Sequence, residues 1–339
     1  MGQLARFLLG IPAREVRRAE RALGPETGEV RDRFLALGTC FADGYHAALL
    51  DPRPEPLAAR LAGIERELQG FAYEGAGMGL LTLDILAPRR GRHGRHDRRG
   101  RLSAFASGAG SPQAYMLHVG AGWAMARLPV RPRRLLARLD PLLGWMALDG
   151  LGFQTALFHR AETIERGEVP ARVSGYARRP FDIGVGRSLW FLERADARRV
   201  GEAIARFPAE RRGDLWTGAG EAAAYAGGNG REGLEALRRA AEPYLPYLAQ
   251  GAAFSAETRE RAGNPAPHTE LASRLLCGAT AVEAAAIARG CAADLPPDAA
   301  DPALPAFEIW RQRIRQRFAR ARAISELTSP PIRMANPVR

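Results

Sequence analysis

The stretch Phe71 to Asp84, FAYEGAGMGLLTLD, returns in weaker form half a chain later as Asp214 to Ala226, DLWTGAGEAAAYA. Gly75-Ala76-Gly77 is matched by Gly218-Ala219-Gly220, and Tyr73 by Trp216. A match this short carries weight only if its flanks agree. Upstream, at the same offset of about 143 residues, Leu57, Leu61 and Ile64 meet Val200, Ile204 and Phe207, an apolar stripe at helical spacing in both places. Gly44 meets Gly186 at an offset one smaller. Downstream, the segment from His118 to Trp123 meets that from Ala249 to Phe254, but the offset has fallen to about 131. The first copy must then carry roughly 12 additional residues, and the low-complexity run Arg89 to Arg101, RRGRHGRHDRRGR, fills that gap.

The expected architecture is mainly α, two pseudo-symmetric helical repeats packed into one body. Alternating β-branched patterns are almost absent, while Ala, Leu, Arg and Glu dominate. The boundaries read as an N-terminal helical arm over 1–29, repeat 1 over 30–165 with its Arg-rich loop, repeat 2 over 172–300, a C-terminal amphipathic helix over 303–327 and a tail over 328–339. Pro170 to Pro180 is the candidate linker. Helices are expected at 13–23, 31–50, 57–68, 71–86, 112–128, 133–139, 142–158, 186–192, 198–207, 214–226, 234–241, 244–261, 267–277 and 281–291. Gly75, Gly77 and Gly79 fall inside one of them, where each costs about 1 kcal/mol relative to Ala. Close approach of a neighbouring helix would offset that cost; so would a channel floor left open for a flat or rod-like ligand.

The formal charge of +12 invites a nucleic-acid reading, but the 49 basic residues are all Arg, as GC-rich coding would produce. Half of the excess sits in the Arg89 to Arg101 run, which reads as a solvated loop or as a tether for an acidic protein or membrane surface. Nucleic acid is not an expected partner. Cys40, Cys277 and Cys291 are widely spaced and give neither a disulfide framework nor a thiolate zinc site. No cleavable leader and no uncharged apolar run of about 18 residues is present, so the expectation is a cytoplasmic protein without a spanning helix. Phe307, Trp310, Ile314, Phe318 and Ile324 make an apolar stripe flanked by arginines, suited to docking on the body or to lying on an anionic membrane surface.

No Walker A loop, H-E-x-x-H, G-x-S-x-G or aspartate-rich metal cluster occurs. Gly184-Val185-Gly186 and Gly218-Ala219-Gly220 read at most as fragments of glycine-rich loops. Comparing the copies is more informative. Glu74 is opposed by Thr217 and His118 by Ala249, while the segment holding Asp149 and His159 is replaced by one holding His268 and Glu270. Ionisable groups in apolar helices are costly unless paired or functional, so Glu74, His118, Asp149 and His159 are the candidate catalytic groups. His118 would act as a base or a metal ligand, with Glu74 or Asp149 fixing its tautomer. Tyr73, Gly77, Trp123, Phe153, Trp216 and His268 are the candidate ligand-binding residues. Cofactor, metal and oligomeric state are left open.

The ordered segments FAYEGAGMG at 71–79, YMLHVGAGWAMARLP at 115–129, LDGLGFQTALFH at 148–159, GRSLWF at 186–191, RFPAERRGDLWTGAG at 206–220 and PHTELASRLLCG at 267–278 resemble the UnbL-type proteins, a basic family of unknown function encoded beside the iterative polyketide synthase of enediyne gene clusters. The resemblance spans roughly residues 30 to 320. It implies a place in maturing a linear polyene into an enediyne core, beside a membrane-protein or polyketide-synthase partner, and it carries no catalytic residues over. The expected function is to bind, and in the stronger form to convert, a linear polyene or similar apolar intermediate. The alternative is a non-catalytic scaffold or carrier that presents that intermediate to a membrane or synthase partner.

Overall fold

A computed structural model describes residues 2–23, 28–86, 100–296 and 304–328. Residues 89–99 of the Arg-rich run, 24–27 of the N-terminal arm and 329–339 of the tail lie outside these. Among the described residues all regular structure is helical, with no strand.

Seven helices form a row in which each packs on the next in sequence: α2 (Glu29–Leu50), α3 (Gln69–Leu86), α4 (Ala114–Arg127), α5 (Met146–Phe158), α6 (Arg178–Leu192), α7 (Ala209–Tyr225) and α8 (Leu245–Ala262). A basic helix, α1 (Ala13–Ala22), precedes the row, and α9 (Ala306–Thr328) follows it. Shorter helices such as Pro54–Ala62, Arg101–Ser107 and Ala197–Ala205 connect the row's members. The helix expected over 57–68 thus ends early, at Ala62, while α6 starts at Arg178, earlier than expected, and takes both Gly184 and Gly186 into a helix rather than a loop.

One device joins the row. At each of its six interfaces two glycines face one another: Gly44 with Gly75, Gly77 with Gly120, Gly122 with Gly150, Gly152 with Gly184, Gly186 with Gly218, and Gly220 with Gly251. A Cβ on any of them would fall 1.8–2.3 Å from a carbonyl oxygen of the neighbouring helix, and that carbonyl always belongs to the residue three positions before the partner glycine. The backbones therefore touch directly, close enough for Cα–H···O contacts, and dispersion between closely approached helices offsets the helix-propensity cost of the glycines. Gly79 completes the pattern against Ala48 and Tyr45 of α2. The glycine faces of α3 are thus closed by neighbouring helices and do not form an open channel floor. The α5–α6 interface, across the expected repeat boundary, carries the same glycine pair as the others.

The stripe of α9 is covered from Phe307 to Phe318; the side chain of Ile324, its last expected member, lies outside those described. Phe307, Trp310, Ile314 and Phe318 are buried, with the Trp310 ring 4.7 Å from that of Phe254 and its indole N–H donating to Ala288 O at 2.7 Å. Beneath it runs a buried ion network. Arg311, wholly buried, pairs with Asp214 of α7 and at 2.8 Å with Glu308; Glu308 also takes Arg315 and Arg179, each at 2.7 Å. Asp214 and Glu308 are held below the usual carboxylate range because these arginines outweigh the burial that opposes their charge. The helix is thus a packed element of the body.

Candidate functional site

The concave side of the row encloses a cavity of about 380 Å³ whose walls come from α1 through α7. Eight aromatic side chains line it, from Phe34 and Phe41 of α2 to Phe191 of α6 and Tyr225 of α7. They touch in chains: Phe41 to Trp123 at 4.5 Å, Trp123 to Phe153 at 5.4 Å, Phe153 to Phe191 at 5.3 Å and Phe191 to Phe34 at 4.5 Å between centroids. Apolar walls with few polar groups are the usual make-up of a small-molecule site.

The polar groups converge on one wall. Trp123 Nε1 donates to Glu74 Oε1 at 3.0 Å, and the Arg187 guanidinium reaches the same oxygen at 3.4 Å. Arg187 Nε lies 3.1 Å from Asp149 Oδ1, and its guanidinium stands 4.9 Å from the Phe153 ring centroid as a cation–π pair. Asp149 shares its surroundings with the carboxyl of Glu221, and the two affect each other's charge. Behind this cluster lies a second chamber of about 50 Å³, lined by Asp149, Glu221, Ser255 and Thr258, and shared with the cavity through Arg187 and Tyr225.

Three carboxyl groups around one guanidinium cannot all ionise. Burial pushes Glu74 up, against the opposing charge of Arg187 and the indole hydrogen bond. Burial also raises Asp149. Glu221 is raised well above the usual carboxylate range, by burial and then by the Asp149 charge. Burial works against the charge of Arg187, and Asp149 and Glu74 more than restore it.

The candidates from the sequence divide on this geometry. Glu74, Asp149, Trp123 and Phe153 come together at the cavity wall and its cluster. His118 does not join them: it is buried on α4, its Nδ1 is 2.7 Å from Ala114 O, and it lines neither chamber. His159 caps the end of α5 and is exposed. Tyr73 stacks on Phe105, Gly77 is packed against Leu117 O of α4, and Trp216 is buried near Gly201; none of the three lines the cavity. His268 sits elsewhere, 2.9 Å from Tyr225 O and 3.7 Å from Glu67. Among the described residues no group of three or more His, Cys, Asp or Glu is placed to hold a metal ion.

Arg187 and Glu221 are the members that comparison of two copies does not find. The glycine ladder finds both. Counting three residues on from the first ladder glycine of α3 to α8 gives Met78, Trp123, Phe153, Arg187, Glu221 and Phe254, and all six line one chamber or the other, whereas the same count from Gly44 of α2 reaches Ala47, which lines neither. One turn of helix separates the glycine that meets the neighbouring backbone from the side chain that faces inward.

Fold and site together define an all-helical protein built as a glycine-laddered row around an aromatic cavity with an Arg-carboxylate floor. The chain belongs to the family described as protein of unknown function (DUF1702), whose model matches residues 1–318. Comparison with curated proteins and with solved structures found no match. No single helix among the described residues is long and apolar enough to cross a membrane; one pair bent by 67°, Pro267–Cys277 with Ala281–Gly290, passes that test by length and composition only.

Proposed function

We propose that this protein binds an elongated, unsaturated apolar intermediate of natural-product biosynthesis in the aromatic cavity and acts on it there. The observation that carries this reading is the pairing of an apolar, ring-lined space of about 380 Å³ with a buried charged floor made by Glu74 and Arg187 and backed by Asp149. Flat conjugated chains stack well on aromatic side chains, and the floor adds a few buried polar groups to an otherwise ring-rich wall. The resemblance to UnbL-type proteins supports a linear polyene in an enediyne-type pathway as the natural occupant. A doubled helical ancestor remains our account of the sequence match between its halves, with the helix-by-helix glycine spacing as the finer period.

The test is titration with a fluorescent linear conjugated tetraene. One saturable site per chain is expected, with emission rising as the probe leaves water, and displacement by longer polyene hydrocarbons. Absence of saturable binding contradicts the reading. Retention of the bound chain unchanged through a reconstituted pathway step would favour the scaffold alternative over conversion.

A further inference from the structure

The charges of the cavity are arranged for a positive charge on its contents. Its lining holds the carboxyls of Glu15, Glu20, Asp43 and Glu74 against the guanidiniums of Arg127 and Arg187. Both arginines are already paired, Arg127 with Glu15 at 3.2 Å and Arg187 with Glu74 and Asp149. Eight ring faces and edges make up much of the remaining wall, and one of them already carries a cation, Arg187 over Phe153 at 4.9 Å. An anionic ligand would meet an excess of carboxyls there. A neutral molecule that becomes cationic during reaction would meet aromatic rings, whose electron-rich faces attract cations.

Of the carboxyls lining the cavity, Glu74 is the buried one, 4% exposed. The indole of Trp123 and the guanidinium of Arg187 both donate to its Oε1. Neither donor occupies the second oxygen, the one available to carry a proton in this cavity-lining side chain, and Arg187 is in place to hold the carboxylate once that proton has gone. Behind it, the chamber of about 50 Å³ beside Asp149 and Glu221 has room and polar partners for a few water molecules, a route by which the proton can be replaced.

We propose that this site performs acid-initiated chemistry on a neutral, unsaturated hydrocarbon, in which Glu74 delivers a proton to one carbon of a C=C bond and the aromatic walls stabilise the cation formed at the other. This rests on the ligand reading given above and names its reaction. The O–H bond of Glu74 breaks and the π pair of the alkene forms the new C–H bond. The cation is then quenched by return of a neighbouring C–H proton to the Glu74 carboxylate, which moves the double bond. Capture by a second C=C of the same chain before that return closes a ring. Either course returns the proton and needs no oxidant or reductant. The groups that act on Glu74 are Arg187 of α6, the Trp123 indole of α4 and Asp149 of α5; Tyr225 of α7, Arg127 of α4, Glu15 and Glu20 of α1 and Asp43 of α2 share its cavity, and Glu221 of α7 lines the chamber beyond.

The experiment uses the full chain in D₂O buffer with a linear conjugated hexaene hydrocarbon, read by the absorbance shift on binding and by mass spectrometry for deuterium in the recovered hydrocarbon. The wild type is expected to bind and to introduce deuterium. Glu74→Gln is expected to bind with the same absorbance shift and to lower uptake by about 10²-fold or more. Trp123→Phe, which removes the indole donor, is expected to move upward the pH at which uptake is lost, because the acid form then persists to higher pH. Uptake by Glu74→Gln at the wild-type rate, or tight binding by the wild type without uptake, overturns the proposal. If Glu74→Gln does not fold, an unchanged pH midpoint in Trp123→Phe overturns it. Failure of the wild type to bind the hexaene overturns the cavity reading itself, a result distinct from binding without exchange.

Discussion

Gly152 of α5 and Gly184 of α6 are reciprocal: a Cβ on the first would lie 2.0 Å from Phe181 O, and a Cβ on the second 1.9 Å from Asp149 O. Asp149, the acceptor in that contact, also carries the carboxylate that holds Arg187. The spacing of two backbones therefore sets the position of the charged floor.

Gly184→Ala should force these helices apart. Overpacking of this kind costs about 1–3 kcal/mol, and more where backbone rather than side chain must give. Gly290, at the end of the helix Ala281–Gly290, has nothing within 4 Å of its Cβ position, so Gly290→Ala should be neutral or slightly stabilising. Urea unfolding of the two variants checks the contrast.

The helical class was legible because long apolar segments without β alternation leave little else, and most helices of the row fall close to their expected places, although the helix expected over 57–68 ends at Ala62, α6 begins at Arg178 rather than at 186 and Arg101–Ser107 was not expected. The glycine pattern was visible but read at too coarse a grain. Matching 75–77 with 218–220 picks out a half-length period, while Gly150, Gly152 and Gly184 show that every helix of the row carries the same signal. The site was legible where a charge interrupts an apolar helix, as at Glu74 and Asp149. It was not legible at Arg187 and Glu221, since arginine and glutamate in a basic, helical chain look like surface residues until the inward turn of the helix is known. His118 drew attention for the same reason as Glu74, yet its Nδ1 lies against the carbonyl of Ala114, one turn earlier on its own helix, a contact that needs no site.

Arg187→Ala should leave the carboxylates of Glu74 and Asp149 buried without a counter-charge. Removing one partner of a buried pair costs about 3–5 kcal/mol. Because the two groups act as one unit, Arg187→Met combined with Asp149→Asn should be less destabilised than the sum of the single changes. A double-mutant cycle in chemical denaturation measures the coupling.

Arg311 is buried among Asp214, Glu308 and Tyr176, whereas Arg317, two turns further along α9, is exposed. Arg311→Ala is expected to destabilise by about 3–5 kcal/mol, for the same reason as at Arg187. Arg317→Ala is expected to change stability by no more than about 0.5 kcal/mol. Thermal unfolding of both variants tests whether α9 is held by this network.

His268 is pulled down to about 4 by burial, with the Arg259 charge adding to the effect. Its proton affinity is lower folded than unfolded, so its contribution is fully present above the unfolded pKa of about 6.5 and is lost as pH falls from there toward 4. Between pH 7 and 4.5 the thermal midpoint should drop. His268→Gln, which keeps polar atoms beside Tyr225 O without a titrating group, should flatten that slope. A slope unchanged by the substitution would assign it to other groups.

The cavity as a ligand site is tested most directly at its mouth. Gly38 lines the cavity on α2, and a Cβ there meets nothing within 4 Å, so Gly38→Phe starts a side chain in free space beside the opening and has better helix propensity than glycine. Equilibrium titration of the linear tetraene against Gly38→Phe, at unchanged or raised unfolding midpoint, is predicted to show binding weakened at least about tenfold, the loss of roughly 1.4 kcal/mol of apolar contact. Wild-type affinity in that variant would place the ligand elsewhere and contradict the account.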